Sequence, residues 1–333
     1  IEIKLKDDLD KNLIVSAAIT AVYLLAALFI YIVEVNTRSE YEILRKANQY
    51  YDRENYFMAA KYYKEALKMN SDSAKNIYGN YGIALAKLAD FDLSIKYLKE
   101  AYENDKENFE KLYDLAHTIY LKAVHNSDKE EYLTAAAYFE ALIPLNPDKD
   151  SPYIWAGMCY RNAGDYEKAV AIYKKAASIK TFNKALFYNL IGDSFADNFK
   201  GQESLDYYNS AVAADPSFVL SYINLGDKYR SLKEYGLSIA NYKKAIQINP
   251  NLTDVYVKIG SLYLDMDKHY DAEQLFLQAL KTDPNNASAL YYLGTAYRKM
   301  GLKKESEEYL KRAVYLGYDK AGDALIEMRI DLR

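Results

Sequence analysis

Cysteine, proline and glycine are scarce: 1, 6 and 13 of them in 333 residues. The single cysteine, Cys159, rules out an intramolecular disulfide and leaves the redox compartment unassigned. Glycine and proline are too few for long flexible linkers. An excess of one charge is also missing. The 43 basic and 47 acidic residues leave a net charge of −4, with no electrostatic reason to expect nucleic acid. The three histidines, His117, His125 and His269, are scattered, and no His/Cys/Asp/Glu grouping has metal-ligand spacing. No glycine-rich phosphate loop follows a strand, and no strands are expected. Acidic pairs such as Asp7-Asp8 and Glu307-Glu308 read as solvated helix faces. The expectation is a protein that is not an enzyme, with no cofactor and no metal.

Tyrosine, by contrast, is abundant at 36 residues, and there is one long apolar run. Leu13–Val33 carries no charge, no Gly and no Pro. As a helix at ~1.5 Å per residue it spans roughly 30 Å, the thickness of the hydrocarbon core of a bilayer. It is longer than a secretory leader's apolar core, and no small-x-small cleavage site follows it. Being apolar on every face, it also differs from a helix buried in a soluble core. Residues 13–35 are therefore expected to form a single transmembrane helix behind an N-terminal arm, 1–12. Lys4, Lys6 and Lys11 before it balance Arg38, Arg45 and Lys46 after it, so positive charge does not orient it. A short arm ahead of a large C-terminal domain favours an N-terminus in the cytoplasm. Glu34–Ser39 contains no Gly or Pro, and Ser39 with Glu42 has capping-box spacing, which predicts a stiff link.

The rest of the chain is self-similar at a period near 34 residues. Tyr222, Leu225, Gly226, Tyr229, Tyr242, Ala245 and Pro250 recur as Tyr256, Ile259, Gly260, Tyr263, Phe276, Ala279 and Pro284 one period on. One period back stand Tyr188, Ile191, Gly192, Phe195, Tyr208, Ala211 and Pro216. This pattern resembles the tetratricopeptide repeat: an aromatic, Leu-Gly and Tyr in a first helix, then Ala, an aromatic, Ala and a closing Pro around a second. Eight registers follow, starting near Glu40, Lys75, Glu110, Asp150, Ala185, Val219, Thr253 and Ala287. The resemblance implies an all-α, right-handed superhelical solenoid over 40–318, with a capping helix at 319–333. Small residues let paired helices cross closely, aromatics fill the wedge between pairs, and no pair buries its apolar face without its neighbours. The third repeat departs from the pattern. It has His117 in place of Gly, about six extra residues around Val124–Glu130 that suggest a bend or a side loop, and Pro144, which should end or kink its second helix.

In this family the first helices line a concave, protein-binding groove. The resemblance places there Asn48, Asn76, Asn80, Ile83, Lys111, Asp114, Ile154, Trp155, Met158, Arg161, Asn189, Asp193, Asn224, Asp227, Val257, Tyr291, Tyr292 and Arg298. Trp155, the sole tryptophan, forms with Ile154, Met158 and Arg161 a candidate aromatic and basic hot spot, or else packs between repeats. Tyr62, Tyr207 and Tyr291 are candidates for contact surface or ordinary packing. The Lys-plus-Asn clamp that chaperone-binding members use for a C-terminal carboxylate is missing: its places hold Leu44/Asn48, Gly79/Ile83, Asn189/Asp193 and Ile223/Asp227. The architecture looks like anchored repeat proteins that build scaffolds around flagellar motors, secretion systems or pili at the bacterial inner membrane. The competing readings are an anchored co-chaperone, quality-control adaptor or import receptor, and a regulatory subunit of a membrane enzyme. The expected partners are other proteins of a membrane complex, a second copy included.

Overall fold

The computed structural model describes residues 22–32, 39–69 and 77–330, and every regular element among them is helical. Residues 1–21, 33–38, 70–76 and 331–333 lie outside the described residues, and with them the N-terminal arm, about half of the expected transmembrane segment, most of the link after it, the expected groove residue Asn76 and the last residues of the expected capping helix. Residues 22–32 of the apolar run are helical, and every one is exposed. Among the described residues no helix is long and apolar enough to cross a membrane. Ser39 is already helical, so it does not stand outside the first repeat helix as a cap would.

The helices alternate first and second around short turns. α1 (residues 39–52) precedes α2 (Tyr56–Leu67), α3 (Tyr78–Lys87), α4 (Phe91–Glu103), α5 (Phe109–Asn126), α6 (Lys129–Leu142) and α7 (Ser151–Ala163). These belong to one compact unit, Ile1–Ala163. A second, Gly164–Arg333, holds α8 (Tyr166–Ala177), α9 (Lys184–Asp197), α10 (Gly201–Ala214), α11 (Val219–Ser231), α12 (Tyr235–Ile248), α13 (Thr253–Asp265), α14 (His269–Thr282), α15 (Ala287–Lys299), α16 (Lys303–Tyr315) and α17 (Asp319–Ile330).

One turn design recurs between first and second helices. Glu54, Ala89, Ser127, Gly164, Phe199, Lys233, Asp267 and Gly301 all take positive φ, between 54° and 82°. This left-handed residue stops the first helix. The next amide then reaches back to the last turn, as Glu234 N–H does to the Tyr229 carbonyl (2.9 Å) and Lys268 N–H to that of Tyr263 (2.8 Å). Side-chain caps start several of the following helices. Asn55 Oδ1 accepts from Met58 N–H at 3.2 Å, and Asp165 Oδ1 from Lys168 N–H at 3.2 Å.

Close crossing inside each pair explains the conserved spacing of glycine within this chain. A Cβ on Gly260 would sit 2.5 Å from the Phe276 ring, and one on Gly226 would collide with the Tyr242 ring. The same approach lets Ser238 Oγ donate to the Gly226 carbonyl at 2.8 Å, and Ser94 Oγ to that of Gly82 at 2.6 Å. Tyr63, Tyr242, Phe139 and Phe276 are fully buried at the centre of their pairs. Each such ring contributes roughly 2–3 kcal/mol of burial.

The third repeat corrects the expectation of a side loop. Its extra residues lengthen both helices, so α5 runs on to Asn126 and α6 begins at Lys129 with only Ser127 and Asp128 between them. Asp128 Oδ1 caps α6 by accepting from Glu130 N–H at 2.8 Å. Pro144 acts as its chemistry dictates: α6 stops at Leu142, two residues before it. At the far end, Ala321 and Met328 of α17 pack on Leu290, Leu310 and Ala313.

Candidate protein-binding surface

The first-helix face is built from a seam that repeats along the chain. Its parts are the aromatic of one second helix, a residue on the paired first helix, and a residue on the first helix of the next repeat. In α11–α13 these are Tyr242, Asp227 and Lys258. The Tyr242 hydroxyl donates to Asp227 Oδ1 at 2.5 Å, and Lys258 Nζ reaches the same carboxylate at 2.6 Å while lying 5.8 Å from the Tyr242 ring centre. Burial first, and the Asp227 carboxylate second, push the Tyr242 hydroxyl well above its usual range. One repeat earlier the parts are Tyr208, Asp193 and Asn224. Tyr208 donates at 2.8 Å and Asn224 Nδ2 at 2.9 Å, both to Asp193 Oδ1. Asn224 also donates to Asn189 Oδ1 at 3.1 Å, and Ser221 Oγ does so at 3.2 Å. In the first repeat the Tyr63 hydroxyl donates to Asn48 Oδ1 at 2.6 Å and is also bonded to Asn80.

Where the second-helix aromatic is phenylalanine, the chemistry switches to stacking. Phe139 has no hydroxyl, the paired residue is Thr118, and the next repeat supplies Trp155, stacked on Phe139 at 5.8 Å and 16°. Trp155 also meets His117 edge-on at 5.4 Å and Tyr120 at 5.0 Å. Phe276 repeats this with Ser261 as the paired residue and Tyr292 stacked at 5.7 Å and 13°. The third chemistry is wholly aliphatic: Leu98, with Ile83 in the paired place and Leu115 beyond it, both leucines buried.

These contacts decide the fate of the expected groove residues. Asn189, Asp193 and Asn224 are joined by hydrogen bonds, while Asp227 belongs to the next seam with Tyr242 and Lys258. Trp155 is the centre of an aromatic cluster, half-buried, with Ile154, Met158 and Arg161 partly exposed on the same helix. Burial, with Lys87 second, lowers the His117 pKa in that cluster. Arg298 pairs with Glu327 of α17 at 2.9 Å, and Tyr291 lies between Tyr292 and Tyr318, 5.0 Å from each. Tyr62 and Tyr207 stack on Tyr50 and Phe195 of their own repeats at 5.5 and 5.4 Å, and Tyr207 also lines an open cavity between α8 and α10. Cys159 is fully buried, and that burial pushes its thiol up to about 12, which leaves it unreactive. Lys258 was missed from sequence, although it stands at the Trp155 and Asn224 place of its own repeat. Among the described residues no group of His, Cys, Asp or Glu is arranged to hold a metal.

The repeats match known families. The description "Tetratricopeptide repeat" is matched at residues 44–109, 151–183 and 257–324, and "TPR repeat" at 226–267. Among solved structures the chain is similar to MamA, with 25% identity, 50% of this chain and 96% of that one covered, and a TM-score of 0.44. It is also similar to YrrB, titled a TPR protein with an unusual peptide-binding site, with 23% identity, 57% and 98% covered, and a TM-score of 0.45. A search of curated proteins finds no match.

Proposed function

We propose, for a chain that carries tetratricopeptide repeats, the role of a non-enzymatic scaffold for protein–protein interaction, held at a membrane by its N-terminal apolar segment. The observation that carries the membrane part is the run Leu13–Val33, charge-free throughout. Its described portion, 22–32, is a helix with Leu24, Leu25, Phe29 and Ile30 all more than 60% exposed. Such a surface is unstable in water and suits lipid or a partner. The repeats behind it bury their apolar faces on one another, which leaves edges and second-helix faces for other proteins. In this reading the protein is a single-pass component of a bacterial inner-membrane assembly of the flagellar-motor, secretion or pilus kind, with its repeats in the periplasm.

Two measurements test this. Alkaline carbonate should leave the full chain in the membrane pellet and release a chain lacking residues 1–38; release of the full chain would remove the anchor. A C-terminally tagged chain, taken gently into detergent, should retain envelope-machine components in fixed ratio by mass spectrometry. Chaperones or many unrelated clients at low occupancy would instead support the adaptor reading.

A further inference from the structure

The second-helix face of the Gly164–Arg333 unit holds a cavity of about 1030 Å³ between α8 and α10, floored by the start of α9. Its chemistry is segregated. Residues 168–184 carry five lysines, Lys168, Lys174, Lys175, Lys180 and Lys184, and no acidic residue, in a chain whose net charge is −4. Two of these, Lys174 and Lys184, line the cavity. Both are exposed, and among the described residues no carboxylate pairs with either. The floor is aromatic. Tyr207 stacks on Phe195 and lies 6.3 Å from Tyr188, and Lys174 Nζ sits 5.6 Å from the Tyr207 ring centre. On the opposite wall, Asp206 is held by Gln202 Nε2 at 3.0 Å.

We propose that this groove docks an acidic segment of a partner protein, an inference that rests on the interaction role proposed above. Two unpaired ammonium groups call for carboxylates, and the tyrosine floor calls for an apolar or aromatic side chain beside them. Asp206 accepts a donor, which a peptide backbone supplies. The α10 wall carries Glu203 and Asp206 and no basic residue, so a broad anionic sheet such as a lipid surface is repelled while a narrow acidic strand is admitted. The site lies away from the first-helix seam, so it stays open while that seam is closed.

The test uses the full chain and a fluorescent peptide of alternating glutamate and tyrosine, read by anisotropy. Binding should appear at low salt, weaken with rising salt, and fall about tenfold in the Lys174→Gln, Lys184→Gln double variant. Lys175→Gln with Lys180→Gln removes the same charge outside the cavity and should leave the affinity unchanged. Equal loss in both variants, or equal binding of a glutamine-for-glutamate peptide, would overturn the groove. Anionic vesicles binding with the same dependence on Lys174 and Lys184 would overturn the peptide assignment. Partner capture by the wild-type chain that survives the Lys174/Lys184 change, with no lysine-dependent peptide binding, sinks the groove and spares the scaffold. Failure of the wild-type chain to capture any protein sinks both.

Discussion

The seam around Phe139 and the seam around Tyr242 occupy the same place in their repeats and are held by different forces. The first is a cluster of rings, Phe139, Trp155, His117 and Tyr120, with no hydrogen bond between the stacked pair. The second is a carboxylate that bonds both a hydroxyl and an ammonium. The switch is set by one oxygen atom. In the repeats of Tyr63, Tyr208 and Tyr242 the hydroxyl brought to the interior meets an Asx beside it and a polar residue from the next repeat, whereas the buried Tyr173 has Met158 in the paired place. A phenylalanine needs no acceptor, so a small hydroxyl residue suffices and the next repeat brings a flat ring. In the Tyr63, Tyr208, Tyr242, Phe139 and Phe276 repeats the three positions vary together, so these repeats are specified partly by their neighbours.

The largest effect is expected from removing the ring that closes the aromatic seam. Trp155→Ala should cost about 3 kcal/mol, since stacking on Phe139 and contact with His117 and Tyr120 go together and leave a void. Thermal unfolding by circular dichroism reads this. A loss under about 1 kcal/mol would return Trp155 to the role of a surface hot spot. Next in size is Asp227→Ala, about 2 kcal/mol, because it strands the Tyr242 hydroxyl and the Lys258 ammonium at once. Asp227→Asn keeps an acceptor for Tyr242 and should cost less than half as much, the Lys258 pair being partly exposed and screened.

The sharpest form of the comparison converts one seam into the other. Tyr242→Phe, Asp227→Ser and Lys258→Tyr together reproduce the Phe276, Ser261 and Tyr292 arrangement. The triple variant should lie within about 1 kcal/mol of the wild type, although Asp227→Ser alone loses about 2 kcal/mol. Additive losses across the three changes would mean that the seam is not a unit.

The repeat array was legible because glycine, aromatic and alanine recur at positions where backbone approach and wedge filling leave little choice. The eight left-handed turn residues were not legible as a set. Only Gly164 and Gly301 announce that conformation, while Phe199 adopts it at φ 57° and is 96% exposed. The extra residues of the third repeat looked like a loop because insertions usually are, yet Asp128 caps α6 at once and the helices absorb them. The first-helix residues were placed in a groove by the resemblance, which carries no information about which of them bond to one another. Asn189 is fully buried and Asp193 is bonded to Tyr208, and only pairing along the period would have revealed it. The second-helix groove was missed because its lysines and tyrosines come from three helices.

The smallest effect isolates what a partly buried acid costs without such a partner. Asp114 lies on α5, and burial, with the nearby Glu110 second, raises its carboxyl to about 6 from an ordinary 3.8. The folded chain therefore binds that proton more tightly than the unfolded chain does. Stability from this group is lost as pH rises from 3.8 through 6, and the cost is fully present at neutral pH. Asp227 meets an ammonium and a hydroxyl, whereas among the described residues no cation pairs with Asp114. Asp114→Asn should then stabilise the chain by about 1 kcal/mol at neutral pH, a figure reduced for the solvent that still reaches the group. The gain should vanish near pH 4, where the wild-type carboxyl is itself protonated. Urea unfolding at the two pH values separates the outcomes. A gain independent of pH would assign the effect to packing, and no gain at neutral pH would mean that Asp114 is solvated in the folded chain.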